Sequence, residues 1–168
     1  MAICPQTLAG ISLDCTTSQG GIKKAWIADY STVKPTISGD KISAIDTISS
    51  FKPYEFRRGT ASFTETLTAD ETTGNNYVTQ ELSLVFTKKD TAKRIEMAAL
   101  SIGQLAVILL DNNGKYFYMG VDDYVSASAG GSESGTAKGD RNAYTITLKT
   151  ESATYAYEVD ETVLEGLE

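Results

Sequence analysis

Few side chains in this sequence have the types and spacing that catalysis or metal binding requires. The 168-residue chain contains no histidine, which removes Ser-His-Asp and Cys-His nucleophilic catalysis and most zinc hydrolysis. Its two cysteines alone do not make a standard zinc site. The carboxylates of Asp122 and Asp123 are adjacent, so on a strand they point to opposite faces and do not share a proton. We therefore predict no catalytic residue, no cofactor and no metal, and expect that the protein is not an enzyme.

Two segments imitate ligand-binding loops but lack a required residue. Residues 130–140 contain glycines and Lys138, as phosphate loops do, yet Gly139 stands where Ser or Thr should hold magnesium. Residues 111–122 have the length of a calcium loop, yet Tyr116 occupies the position of its central glycine. The first segment is interpreted as a flexible loop and the start of the second as a tight turn.

The charge and hydropathy of the chain restrict its partners and location. Acids exceed bases by 22 to 15, a net charge of −7 that argues against a basic nucleic-acid-binding patch. This balance fits simple solubility, or a surface that DNA passes without sticking. The longest apolar run, residues 105–110, has the length of a strand, and residues 1–15 do not resemble a secretion signal. We expect a protein made in a cytoplasm, with Cys4 and Cys15 reduced and a bridge between them as the less favoured alternative.

Composition predicts one domain over residues 22–168, preceded by an extended N-terminal arm over residues 1–21. The arm is rich in Thr, Ser and Gly and ends at Gly20-Gly21. Two interpretations stay open for it: a segment that lies on a neighbouring subunit, or a disordered tail.

Residues 54–68 and 77–88 alternate in polarity with the two-residue period of half-buried strands, which predicts a long antiparallel hairpin. Its apolar face is expected to pack inward and consists of Phe63, Leu67, Leu82 and Leu84. Its opposite face is rich in hydroxyl groups and consists of Ser62, Thr64, Thr66, Thr79, Glu81 and Ser83. Glu65, Gln80 and Val85 depart from the alternation. The acidic residues 69–76 form the connecting loop.

A single helix is predicted over residues 90–102, capped by Asp90 and ended by a left-handed Gly103. Its apolar stripe consists of Ala92, Ile95, Ala99 and Ile102. Further strands are predicted at residues 22–30, 41–48, 104–110, 115–120, 121–127, 143–151 and 154–159. A short terminal helix is predicted after Asp160. The fold class is mainly β (α+β), a sandwich or barrel of roughly eight or nine strands with one flanking helix.

Several short motifs, in order along the chain, resemble a family of structural proteins of crAss-like and other phages of Bacteroidota hosts. The motifs are Leu13-Asp14-Cys15, Gly20-Gly21-Ile22-Lys23, Ser62-Phe63-Thr64-Glu65-Thr66, Gln80-Glu81-Leu82-Ser83-Leu84-Val85-Phe86, Asp111-Asn112-Asn113-Gly114-Lys115-Tyr116 and Gly139-Asp140-Arg141-Asn142. Members resemble tail-tube proteins or ring proteins stacked below the portal. The resemblance implies a tail-tube-like sandwich whose long hairpins join edge to edge around a lumen.

The resemblance implies a virion protein of a phage tail, assembled in the host cytoplasm into a ring that forms a conduit for DNA ejection. The implied partners are identical copies, as a hexamer or alternatively a dodecamer, adjacent tail or neck proteins, and DNA in non-specific transit, with no membrane. The lumen-facing residues would be Ser62, Thr64, Thr66, Thr79, Glu81 and Ser83. The inter-ring contact would be made by the loop residues Asp70, Glu71, Thr72, Thr73 and Gly74.

Three alternatives stay open at this point. The first is a single neck or connector ring between portal and tail, which differs from a tube in copy number. The second is a monomeric β-sandwich binding module, secreted or at a cell surface. The third is a hydrolase that uses carboxylates alone, for which the separation of two acids in a cleft would have to match glycosidase geometry.

Overall fold

A computed structural model describes residues 7–167 as eleven strands, one α-helix and three short 3-10 helices. The strands are β1 Ile22–Asp29, β2 Lys34–Ser38, β3 Lys41–Asp46, β4 Lys52–Tyr54, β5 Ser62–Asp70, β6 Asn75–Thr87, β7 Leu105–Asp111, β8 Tyr116–Met119, β9 Ser126–Glu133, β10 Ala143–Ser152 and β11 Tyr157–Val159. Helix α1 spans Thr91–Ile102, and the 3-10 segments are Tyr30–Thr32, Ile48–Ser50 and Glu161–Gly166. The mainly β, α+β fold class is confirmed.

The strands form two open sheets packed as a sandwich. The large sheet has seven strands in the order β2-β3-β11-β8-β7-β1-β4, and the small sheet has four in the order β5-β6-β10-β9. All neighbours are antiparallel except β11 and β3, which run parallel. In the described residues neither sheet closes on itself, so β2 and β4 are the edges of the large sheet and β5 and β9 those of the small sheet.

The middle of the large sheet is buried on both faces, and strand β7 is accordingly an unbroken apolar run over residues 105–110. Alternate residues of β7 enter two different cores. Val107 and Leu109 join the core between the sheets, with Leu82, Leu84, Ile146 and Leu148 from the small sheet. Ala106 and Ile108 join a second core on the far side, with Trp26, Ile42, Phe51, Tyr118 and Leu164. The short 3-10 segments near positions 50 and 164 cover that second core.

Three strands lie wholly or mostly outside the predicted ones, and each lacks a strong alternating signal. The predicted strand over residues 121–127 overlaps β9 only at residues 126–127, and residues 121–124 form no strand. β2 contains Pro35, which is tolerated because β2 is an edge strand. β4 is only three residues long and includes Pro53. β9 includes Gly130-Gly131 inside the segment that was predicted to be a flexible loop. The prediction of one strand over residues 54–68 was wrong, because Tyr54 ends β4 in the other sheet and β5 starts only at Ser62.

Helix α1 begins as predicted, because the Asp90 side chain accepts a hydrogen bond from Lys93 N at 2.8 Å. Its end differs from the prediction. Gly103 has φ −74° and ψ 152°, an extended rather than left-handed conformation. A Cβ at this position would lie 2.9 Å from Leu105 Cδ2 and 3.1 Å from Ala99 O, so close packing favours glycine there.

The side of α1 that faces the core is not the predicted one. Leu100 is buried, Met97 packs against the core beside it, and Lys93 lies half-buried one turn earlier. The predicted stripe of Ala92, Ile95, Ala99 and Ile102 is exposed along its whole length. The periodicity was detected correctly, but it marks a surface that nothing in the described chain covers.

The two leucines of the predicted apolar hairpin face differ in burial, which gives a matched test of the fold. Leu82 has no exposed surface, whereas Leu67 is 51% exposed near the hairpin tip. We expect Leu82→Ala to lower the free energy of unfolding by about 2–5 kcal/mol, because it leaves a cavity between the sheets. Leu67→Ala should cost less than about 1 kcal/mol. Chemical denaturation monitored by circular dichroism measures both, and equal losses would contradict this placement of the hairpin.

Candidate functional site: the uncovered face of the small sheet

The predicted hydroxyl-rich residues occupy one face of the β5-β6 hairpin. Directly opposed pairs on these antiparallel strands are Ser62 with Ser83, Thr64 with Glu81, and Thr66 with Thr79. Opposed residues in an antiparallel pair point to the same side of the sheet. The hairpin therefore brings all six predicted residues together on one surface.

Strand β10 extends this surface beyond the residues that were predicted. Ser83 is opposed by Thr147, Glu81 by Lys149, and Thr79 by Glu151. The alternation of Thr145, Thr147 and Lys149 with Ile146 and Leu148 is visible in the sequence and marks a half-buried strand, but it does not say that this strand lies beside β6. We call the combined surface the hydroxyl face, consisting of Ser62, Thr64, Thr66, Thr79, Glu81, Ser83, Thr145, Thr147, Lys149 and Glu151.

The hydroxyl face is open in the single chain. Each of its side chains is half-buried or exposed, whereas Val78, Gln80, Leu82 and Leu84 on the opposite face of β6 are buried. Helix α1 packs on that opposite face, where Leu100 shares a core with Phe86 and Ile146. No helix in the described part of the chain packs on the hydroxyl face. The surface is therefore available to solvent or to a partner.

The charges on the hydroxyl face are few and nearly balanced. They are Glu81, Lys149 and Glu151, and Lys149 Nζ lies 3.7 Å from Glu151 Oε1. An exposed ion pair of this kind contributes roughly 0–1 kcal/mol. The face thus presents mainly neutral hydroxyl groups with one excess negative charge, and it lacks the basic cluster that would hold phosphates.

The loop that was predicted to contact a neighbouring ring is a tight turn at the tip of the hairpin. Asp70 Oδ1 accepts hydrogen bonds from Thr72 N at 2.8 Å and Thr73 N at 3.3 Å, and Gly74 N donates to Asp70 O at 2.8 Å. The backbone N–H group of Thr72 contributes most to lowering the pKa of Asp70 below its ordinary value. Gly74 adopts the positive φ of 73° that the turn needs. Asp70, Glu71, Thr72, Thr73 and Gly74 are all exposed.

A polar cluster lies on the buried face behind the tip and explains two departures from the hairpin's alternation. Glu65 Oε1 accepts a hydrogen bond from Ala156 N at 2.5 Å, and Gln80 Nε2 donates to Thr154 O at 3.3 Å. Both side chains therefore attach the segment before β11 to the hairpin. Gln80 Oε1 is buried and has no hydrogen-bond partner among residues 7–167. Burial of the half-buried Glu65 carboxyl raises its pKa, an effect that the Ala156 N–H group partly opposes.

The carboxylates considered for catalysis or calcium binding have structural partners. Asp122 Oδ2 accepts hydrogen bonds from Ser152 Oγ at 2.7 Å and Ala153 N at 2.9 Å. Asp111 Oδ1 accepts from Asn113 N at 2.9 Å and Lys115 N at 2.8 Å, which closes the predicted turn. Across residues 7–167 no group of three or more His, Cys, Asp or Glu side chains is arranged to hold a metal ion.

Two further expectations concern membranes and thiols. No helix in the described range is long and apolar enough to cross a membrane. Cys15 is exposed, and Cys4 lies outside the described residues.

Comparison of the chain with protein-family models, with curated proteins and with solved structures finds no match.

The raised pKa of Glu65 predicts how stability changes with pH. The folded protein holds this proton more tightly than the unfolded chain, so its contribution is present below the ordinary pKa of 4.5 and is lost as the pH rises through the folded-state value. The glutamine of Glu65→Gln keeps an oxygen that accepts the hydrogen bond from Ala156 N, but its side chain cannot ionise. We expect this variant to melt a few degrees higher than the native protein at pH 7 and at the same temperature below about pH 4.

Melting temperatures between pH 3 and pH 8 measure this effect. The matched control is Glu71→Gln in the exposed turn, which should change stability little because the side chain makes no buried contact. A lower melting temperature of Glu65→Gln at pH 7 would refute the interpretation that burial dominates at this carboxyl.

Proposed function

We propose that the protein is a structural subunit of a phage virion, which assembles with identical copies into rings of a tail tube. The observation that carries this proposal is the small sheet itself. One face is fixed to the rest of the sandwich, the other face is open and rich in hydroxyl groups, and both edges are free. The resemblance of the sequence motifs to tail-tube and ring proteins agrees with that reading.

The two free edges of the small sheet favour pairing with another chain. β5 and β9 span nine and eight residues and contain neither proline nor lysine, and the one irregularity is a register shift in the pairing of β9 with β10. Natural monomers usually protect long edge strands with such residues, because unpaired N–H and C=O groups recruit other strands. Glu65 points inward from β5, but it is engaged by Ala156 within the same subunit. Closure of a ring satisfies both edges at once.

The strand directions of the small sheet are compatible with such a ring. Its neighbours are all antiparallel, so the four strands alternate in direction from β5 to β9. In a rotationally symmetric ring, β5 of one copy then runs antiparallel to β9 of the next. The pairing that continues the sheet is therefore the same type as the pairing within it.

The dimensions of a closed ring suit a conduit for DNA. Four strands from each of six copies make a barrel of about 24 strands. At about 4.8 Å between strands and a tilt of about 40°, its backbone is about 48 Å across. Because the large sheet occupies the opposite side, the hydroxyl face lines the lumen, and side chains still leave room for duplex DNA.

The chemistry of the hydroxyl face fits passage without binding. Neutral hydroxyl groups and an excess carboxylate offer phosphates no cation to pair with. The turn at residues 71–74 extends from the barrel rim and would contact the next ring or an adjacent tail or neck protein. In this proposal the subunit acts passively in the virion, after assembly in the host cytoplasm, and catalyses no reaction.

The free edge of β5 can be tested with two adjacent proline substitutions. Along an edge strand, successive N–H groups alternate between the neighbouring strand and the free side. Of Thr66→Pro and Leu67→Pro, one therefore removes a bond to β6 and lowers stability, and the other removes an outward donor and leaves stability nearly unchanged. We expect the variant of nearly native stability to lose ring formation. Light scattering after size exclusion, together with thermal melts, measures both properties, and normal rings from that stable variant would exclude pairing at β5.

A charge reversal tests the role of the hydroxyl face. Glu81→Lys changes the face by two units of charge per copy and supplies cations that attract phosphates. We expect particles carrying Glu81→Lys to assemble normally and to eject DNA more slowly. Glu81→Gln is the matched control and should eject at a nearly normal rate. Unchanged ejection kinetics for Glu81→Lys, measured by dye exclusion on intact particles, would remove this residue from the DNA path.

A further inference from the structure

Helix α1 presents a broad apolar surface that residues 7–167 leave uncovered. At about 100° per residue, six uncharged positions form a stripe about 120° wide between Arg94 on one side and Glu96 on the other. Ile95 is 55% exposed and Ile102 is 87% exposed. The stripe consists of Thr91, Ala92, Ile95, Ala98, Ala99 and Ile102, and every member is exposed. We call this surface the helix stripe. An apolar stripe of this width on a helix normally faces a core.

The N-terminal arm carries a second uncovered apolar surface. Leu8, Ile11 and Leu13 are each more than nine-tenths exposed, and no residue from 7 to 21 forms regular structure. In the described part of the arm, residues 7–21, the hydrogen bonds to the body lie at its base. Gln19 N donates to Asn113 Oδ1 at 2.8 Å, and Asn112 Nδ2 donates to Gly20 O at 2.6 Å.

We propose that the arm segment from Leu8 to Leu13 of one copy docks on the helix stripe of another copy. This inference rests on the proposed self-assembly and specifies a contact that strand pairing at β5 and β9 does not provide. One chain carries both halves of the contact, so each copy in an assembly can dock its arm on one neighbour and have its helix stripe covered by the arm of another. Burial of both removes the exposure of five large aliphatic side chains per copy: Leu8, Ile11, Leu13, Ile95 and Ile102.

The positions of arm and helix favour contact between copies. The arm base lies at the start of β1, where Asn112 N donates to Gly21 O at 3.2 Å. The chain that follows α1 lies at the other end of β1, where Tyr30 N donates to Gln104 O at 2.9 Å. The eight residues of β1 place these ends about 25 Å apart. Two complementary surfaces at opposite ends of a strand produce a head-to-tail contact, which extends an assembly from copy to copy.

The reach and charge of the arm agree with this contact. Six residue steps separate Leu13 from the anchored Gln19, a reach of about 20 Å when extended, which is shorter than the length of β1 and therefore favours the helix of a neighbour over the arm's own. Asp14 is the only charged residue between positions 7 and 21, and it directly follows Leu13. Arg94 borders the helix stripe and has no ion-pair partner among the described residues. Docking of the arm therefore brings the Asp14 carboxylate close to the Arg94 guanidinium of the neighbouring copy.

The first test changes the helix stripe in the full-length protein. Ile102→Glu should weaken assembly by roughly tenfold or more, because a carboxylate replaces a buried isoleucine in the contact. Its melting temperature as a dilute single chain should stay nearly native, since the residue is exposed there. Ile102→Leu is the matched control and should assemble normally. Leu13→Glu should reproduce the defect from the arm side, and native assembly of both glutamate variants would overturn the proposal.

The second test locates the contact by disulfide formation. One chain carries Cys4→Ser and keeps the exposed Cys15, and the other carries Cys4→Ser, Cys15→Ser and Ala98→Cys. After mixing, assembly and oxidation, we expect a cross-link that joins the two different chains, identified by mass spectrometry of the bridged peptides. Assemblies that form without this cross-link would overturn the proposal. A bridge that forms within single dilute chains carrying both Cys15 and Ala98→Cys would overturn it as well, because the arm would then cover its own helix.

The outcomes separate this inference from the proposed function. If native protein assembles while Ile102→Glu assembles equally and no cross-link forms, the arm contact is wrong and the ring proposal stands. If native protein forms no assembly at any concentration, both proposals fail together.

Discussion

The arrangement depends on the burial of one face of the small sheet against the large sheet. Leu82, Leu84, Ile146 and Leu148 are fixed in the core between the sheets, and the period of two along a strand then directs the hydroxyl face outward. A shift of one residue in strand pairing would bury threonines and expose leucines, so the register is strongly specified. The same packing leaves the edges β5 and β9 unpaired. The open face and the free edges are therefore consequences of one constraint, and together they favour continuation of the sheet between copies.

Alternation and capping allowed part of this structure to be predicted. The hairpin face from Ser62 to Ser83 and the start of α1 at Asp90 follow from local patterns that packing did not change. The strand β9 could not be predicted, because Gly130 and Gly131 have low strand propensity and pair only through the backbone of β10. The contribution of β10 to the hydroxyl face was missed, because sequence alone does not say which strand lies beside β6. The orientation of α1 was also not predictable, because the helix has apolar residues on two faces. Tertiary packing buries the face with Leu100 and leaves the face with Ile102 exposed.

The departures from pattern carry as much information as the pattern. Glu65 and Gln80 interrupt the apolar face of the hairpin because their side chains attach the segment at Thr154–Ala156. The helix stripe of α1 is the opposite case, because it exposes apolar side chains to solvent where a single chain usually has polar ones. In a subunit of an assembly both are expected, because the chain must hold its own core together and also keep surface for its neighbours.

Electron cryo-microscopy of the protein at assembling concentrations shows whether the small sheet continues from one copy to the next. We expect closed rings in which β5 of one copy lies antiparallel to β9 of its neighbour, with Thr64, Glu81 and Thr147 facing the central channel. Particles in which β5 and β9 remain exposed to solvent, or in which the hydroxyl face lies on the outer surface, would contradict it.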